Sequence, residues 1–312
     1  MVEQKVREPT VLLPYPGPSE AYCNDIFVYL RPETNGVIVE STLLRVIRNN
    51  SNYKNRIKLV YLANIPGDFI VENRIVEEHY GYKLYFTVKG KAVFTPFMKE
   101  RFENYFHTPF EEAPIIGAFE ALRVFNISHN ELFEIRVPEE DMLLVDDQSI
   151  KKIDGYFVIN YDIPAIINRN NYQTDIAAMI LRTNHSYDII HEMIQDMGDA
   201  LIKANILKSG KPLSRIFHYS RGPFDQIRDA IGYLYDMKGE HEALGKTTFC
   251  NYLLERGITM NNILYAMRYP IMHFRADSNN IIEDSLFSYT ENDSFERALE
   301  KYLSITSQVI LF

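Results

Sequence analysis

The sequence predicts a mixed α/β protein, sheet-rich with hairpins in its N-terminal half and helix-rich in its C-terminal half around a short βαβα unit. Three observations predict it. Apolar, β-branched and aromatic runs separated by turn residues crowd the first half; strand and helix patterns alternate from Ile176 to Tyr235; and amphipathic helical spacing dominates the chain beyond Tyr235. With 312 residues and 46% apolar content, the chain has material for one large core or two moderate ones, which excludes wholesale disorder.

In the first half, Ile26–Leu30 and Val37–Val39 flank the turn pair Asn35-Gly36 and read as a hairpin. Ile57–Leu62 is a third strand, stopped by Ile65-Pro66-Gly67-Asp68. Lys83–Val88 and Ala92–Phe94 around Lys89-Gly90-Lys91 suggest a second hairpin. Helices are expected after Pro96, where Phe97, Phe102, Tyr105 and Phe106 recur, and over Ile115–Phe125 after Pro114. Leu143–Val145 and Tyr156–Tyr161 read as paired strands across a polar stretch ending in Asp154-Gly155.

In the second half, Ile176–Leu181 is a strand. A long amphipathic helix follows, with Ser186 as its N-cap and Ile189, Ile190, Met193, Ile194, Met197 and Leu201 on one face. Lys208-Ser209-Gly210-Lys211-Pro212 marks a stop. Ile216–Tyr219 and Phe224–Tyr235 repeat the strand–helix plan, which favours a parallel βαβ crossover. Helices near Phe249–Glu255, Met260–Met267 and Ser294–Leu303 complete the chain, and the apolar end Val309-Ile310-Leu311-Phe312 is expected to dock on the core or on a partner. The polar stretch Asn168–Thr174 is the best domain boundary, giving regions 1–170 and 171–312, with a single merged domain as the alternative.

Charge and cysteine usage narrow the function classes. The balance of 33 basic and 42 acidic residues, a net charge of −9, argues against wholesale binding to nucleic acid or anionic lipid. Local basic windows remain, with Arg45, Arg48, Lys54, Arg56 and Lys58 in one and Lys203, Lys208, Lys211, Arg215 and Arg221 in the other. Glu131–Asp147 carries seven acids against Arg136 and reads as a solvated face. Cys23 and Cys250 lie too far apart for a disulfide framework, and the sequence carries no long apolar span or signal-like start, so a cytoplasmic protein off the membrane is expected.

The candidate site is Arg215-Ile216-Phe217-His218-Tyr219-Ser220-Arg221-Gly222-Pro223. A helix opening at Pro223 presents N–H groups and the positive end of its dipole, Gly222 allows close approach, and Arg215, His218, Ser220 and Arg221 supply donors for a phosphate or carboxylate. Other signals are weaker. Gly245-Lys246-Thr247-Thr248 lacks the first glycine of a phosphate-binding loop. His185 and His191 fall about 240° apart on a helix, and with His241 they make no three-ligand metal set. No cofactor motif is present. The helices around Gly257 have a helix-turn-helix layout with Asn261 and Asn262 for a groove, but Arg268 is the one cation there.

The abundance of tyrosine, 21 residues, and the absence of a catalytic motif favour a non-catalytic binding or protein-interaction protein, acting on a protein partner or a second copy of itself. The alternative is an enzyme or sensor for a small anionic metabolite at Arg215–Gly222. A DNA-binding regulator using Met260–Met267 is the third reading.

Overall fold

A computed structural model describes residues 6–208, 213–277 and 280–310. The Ser209–Pro212 part of the expected stop, Lys211 of the second basic window and the terminal Leu311-Phe312 lie outside the described residues. The fold is mixed α/β. Its strands are β1 (Thr10–Leu13), β2 (Asn24–Leu30), β3 (Ile57–Ile65), β4 (Ile115–Gly117), β5 (Met142–Val145), β6 (Gln148–Ile153), β7 (Tyr156–Ile159), β8 (Ile176–Thr183), β9 (Phe217–Tyr219), β10 (Ile271–Arg275), β11 (Ile281–Ser285) and β12 (Ile305–Gln308). Among the described residues no helix is long and apolar enough to cross a membrane.

The chain divides into two compact units, neither continuous in sequence. One comprises the described residues of Met1–Ile75, Arg169–Leu264 and Thr290–Leu299; the other those of Val76–Asn168, Tyr265–Tyr289 and Glu300–Phe312. One passage between units falls at the polar stretch singled out in the sequence. The units are nevertheless not the halves 1–170 and 171–312, because long-range strand pairing, not chain order, decides which segments share a core.

The first unit is built on an antiparallel sheet ordered β1-β3-β8-β2-β9. Helix Val37–Asn49 connects β2 to β3, and helix Tyr187–Lys203 connects β8 to β9. Each connection joins two strands running the same way with one antiparallel strand between them, the split βαβ arrangement. The βαβα unit expected over Ile176–Tyr235 is present, but β2 lies between its two strands. Both sheet faces are covered, which is why β2 and β8 read as continuous apolar runs. On one face Ile26, Val28, Met179 and Leu181 pack against Leu43, Ile47, Ile190 and Met197. On the other, Tyr29 stacks on Tyr233 at 4.1 Å and the Tyr61 hydroxyl donates to the Tyr233 carbonyl, both from helix Pro223–Tyr233.

The second unit holds a sheet ordered β4-β7-β6-β5, in which β4 and β7 are parallel, and a smaller sheet ordered β11-β10-β12. Phe86, Met98, Phe102, Phe110 and Phe157 form its aromatic core, with Val309 and Ile310 docked on it as the apolar chain end predicted. A second cluster, including Ala118, Ala121, Leu132, Ile153 and Val158, packs on the opposite sheet face.

Several segments differ from local expectation. Val37–Val39 begins a helix; Val39, Leu43 and Ile47 recur at helical spacing and reach the core, leaving Val37 and Ile38 77% and 72% exposed. Lys83–Val88 lies in helix Gly81–Lys89, which buries Tyr82 and Phe86, and Gly90 (φ 62°) ends it in the left-handed region instead of turning a hairpin. Ile115–Gly117 is a strand, and only Ala118–Phe125 is helical. The polar Gln148–Ile153 is the strand β6, so β5 pairs with β6 and not with β7. Asp146 (φ 48°) and Asp147 (φ 62°) make the two-residue left-handed turn that sets this register.

Candidate functional site

The corner expected to bind an anion has the predicted local shape. Strand β9 leads through Ser220-Arg221-Gly222 into helix Pro223–Tyr233, with Gly222 as N-cap and Pro223 in the first turn. His218 and Ser220, two apart on one side of the chain, are both brought to Asp229, as the spacing allowed. The Ser220 hydroxyl donates to Asp229 Oδ2 at 2.6 Å and accepts from the Phe27 N–H at 3.1 Å, while His218 Nε2 lies 3.4 Å from Asp229 Oδ1. Arg215 ends the short turn Leu213–Arg215, before the strand.

Carboxylates fill the place expected for a ligand. The Arg221 N–H donates to Asp225 Oδ2 at 3.1 Å, and its guanidinium lies 3.4 Å from Asp225 and 3.3 Å from Glu291. A Cβ on Gly222 would come within 2.7 Å of the Thr290 carbonyl oxygen, so backbone already occupies the approach side. His218 adds no positive charge: burial holds its pKa well below the usual value, Arg31 pushes the same way, and Asp225 opposes them. An anion would therefore meet Asp225, Asp229 and Glu291 at close range. The sequence carried a signal for this arrangement, since Asp225 and Asp229 are four apart on one helix face and point back toward the strand end. Ser220→Ala should leave Asp229 and the Phe27 N–H short of a partner. A loss of about 1–3 kcal/mol in urea unfolding is expected; an unchanged midpoint would contradict this account of the corner.

The Gly257 turn (φ 83°) does join two helices, Thr248–Glu255 and Met260–Arg268. The second buries Ile263, Ala266 and Met267 and exposes Asn261, Asn262, Leu264, Tyr265 and Arg268. Arg256, just before the turn, spreads its guanidinium over the Tyr252 ring at 3.4 Å. Among the described residues of that helix, Arg268 is the one cation, short of the cluster that phosphate anchoring needs.

Sequence reasoning missed a carboxyl cluster in the second unit. Of the seven acids in Glu131–Asp147, Asp146 and Asp147 are each 2% exposed, beside Glu283 of β11 at 0%. Arg101 contacts Asp146 Oδ1 at 2.6 Å and donates to the Glu283 carbonyl at 2.6 Å. Tyr82 donates to Asp147, with Lys83 3.4 Å away, and Thr95 donates to Glu283, which also meets His273 at 2.9 Å. Burial, with Glu283 and Asp284 adding to it against Arg101, pushes Asp146 up to about 8; burial pushes Asp284 up to about 6. Perturbed carboxyls are the hallmark of acid–base sites. Here Asp146, Asp147 and Glu283 are buried against Arg101, Tyr82, Lys83 and Thr95 of their own unit, with Asp146 Oδ2 making no hydrogen bond and Asp284 partly exposed, and the cluster reads as a polar core.

Two surface features remain. A groove of about 770 Å³ runs between helices Val37–Asn49 and Tyr187–Lys203, lined among others by Arg45, Asp196, Asp199 and Lys203. Its charges are of both signs, and Asp196 already accepts from the Tyr53 hydroxyl at 2.9 Å and from Asn50 at 3.1 Å. The other feature is the outer edge of β5. Leu143 and Val145 pack into the aromatic core, while Met142 and Leu144, on the alternate face, are 37% and 59% exposed. Exposed Glu139 and Glu140 and partly buried Asp141 stand immediately before this strand. No protein-family model matches the chain, and no curated protein or solved structure matches it.

Proposed function

We propose that this protein is a non-catalytic binding protein that docks a partner protein, and that the outer edge of β5 is the docking surface. One observation carries the reading: β5 is the outermost strand of its sheet and turns two aliphatic side chains, Met142 and Leu144, toward water. Natural proteins guard such edges with prolines, charges on the strand or extreme shortness. The sheet of the first unit does so, with β1 framed by Pro9 and Pro14 and β9 only three residues long. Strand β5 contains neither proline nor charge. The small-anion reading gains no support from a corner lined by Asp225, Asp229 and Glu291.

Selection from a random twelve-residue peptide library tests the proposal. Sequences should converge, compete with one another for one site, and lose affinity at least tenfold for the Met142→Glu/Leu144→Glu variant. No convergence, or convergence indifferent to that variant, would overturn it.

A further inference from the structure

We infer that the partner reaches the β5 edge as an extended, positively charged segment that adds a fifth strand to the sheet. The inference rests on the reading of this edge as a docking surface and specifies what docks there.

Backbone register supplies the first argument. The two-residue turn Asp146-Asp147 makes Val145 and Gln148 a hydrogen-bonded pair, and pairing alternates along an antiparallel ladder. Leu143 and Val145 therefore direct their N–H and C=O groups to β6, whereas Leu144 directs both of its groups outward and Met142 its C=O, the Met142 N–H being taken by the Glu139 carbonyl. The partner strand bears this out from its own side. Ser149, opposite Leu144, donates its N–H to Asn160 Oδ1 at 3.0 Å, and its carbonyl accepts from the Asn160 N–H at 2.7 Å, both turned away from β5. The Leu144 N–H and C=O and the Met142 C=O are spaced to receive one short extended chain, with apolar side chains packing beside Leu144.

Charge supplies the second argument. Exposed Glu139 and Glu140 form a negative end at the start of β5, where Asp141 lies 3.9 Å from Lys152, and Glu131 is exposed on the preceding helix, His129–Glu134. At the other end, Asp147 is matched by Lys83 and Asp146 by Arg101. The exposed carboxylates Glu139 and Glu140 thus gather at one end of the strand, and their potential selects basic residues at the matching end of the incoming strand. A second copy of this chain would bring the same acidic triplet, which opposes self-pairing.

The test uses the full chain and labelled nine-residue peptides, read by fluorescence anisotropy. Each has three lysines at one end followed by alternating valine and threonine, and is made in both polarities to cover parallel and antiparallel addition. At least one polarity should bind. Affinity should fall tenfold or more on replacing lysine by glutamate, on N-methylating alternate peptide amides, and in Leu144→Glu, whose melting temperature should match that of the parent because residue 144 is exposed. Equal binding of the N-methylated peptide would overturn strand addition. If neither polarity binds while library selection still converges on this edge, the basic strand is wrong and the docking surface stands. A dimer in light scattering that dissociates in Leu144→Glu would assign the edge to a second copy and overturn the inference.

Discussion

Arg182→Ala should destabilise the protein by about 3–5 kcal/mol, the usual cost of stranding a buried charge. Asp25, on β2, is 2% exposed. Arg182, on β8, grips both its oxygens, at 2.7 and 2.9 Å, and reaches on to the Gly17 carbonyl at 2.7 Å. The hydroxyls of Tyr15 and Thr248 donate to the same carboxylate at 2.6 Å each, and burial beside Asp25 pushes the Tyr15 hydroxyl above its ordinary range. Without the guanidinium the carboxylate keeps two neutral donors and no counter-charge. Urea unfolding followed by circular dichroism measures the loss, and a change below about 1 kcal/mol would show that water or rearrangement satisfies Asp25. Removing both charges in Asp25→Leu/Arg182→Met should recover only part of the loss, because Tyr15 and Thr248 would then lack their acceptor.

Asp146→Asn should act in the opposite direction and only at higher pH. The ordinary aspartate value is 3.8, and in the folded second unit Asp146 stands at about 8. Between those values the folded chain holds a proton that the unfolded chain has released, so wild-type stability falls as pH rises from about 4 to about 8. Asp284, raised to about 6, contributes with the same sign over the lower part of that range. Asparagine cannot ionise, tolerates the left-handed φ of 48° at this position, and still offers Arg101 an acceptor. The advantage of the variant should be smallest near pH 4 and grow as pH rises, to on the order of 1–3 kcal/mol near pH 9. Parallel pH profiles for the two proteins would mean that Asp146 does not carry the proton.

Both clusters explain why the candidate site was only partly legible. The strand end, the serine, the glycine and the proline-led helix of Ser220–Pro223 follow from neighbouring residues, and all were read correctly. What fills the corner comes from elsewhere: Asp229 is nine residues beyond Ser220 and Glu291 is seventy beyond Arg221. The acidic run Glu131–Asp147 was legible as a solvated face only where it is one. Asp146 and Asp147 are drawn inside by Arg101, Lys83 and Tyr82, which belong to two helices more than forty residues earlier in the chain. No periodicity announces such partners.

The same division runs through the fold. Periodicity and end signals determined the helices Pro96–Phe106, Tyr187–Lys203 and Pro223–Tyr233 and the strand β8, because a helix face or a doubly covered strand repeats within a few residues. Tertiary structure decided that Val37–Val39 and Lys83–Val88 are helical, since β-branched and aromatic residues accept either form until Leu43, Ile47 and Phe86 find a core to enter. It also decided the strand order β1-β3-β8-β2-β9 and the division of the chain into two interleaved units. Those outcomes depend on pairings such as Asp25 with Arg182, 157 residues apart, whose free energy is gained only after the intervening chain has been brought round.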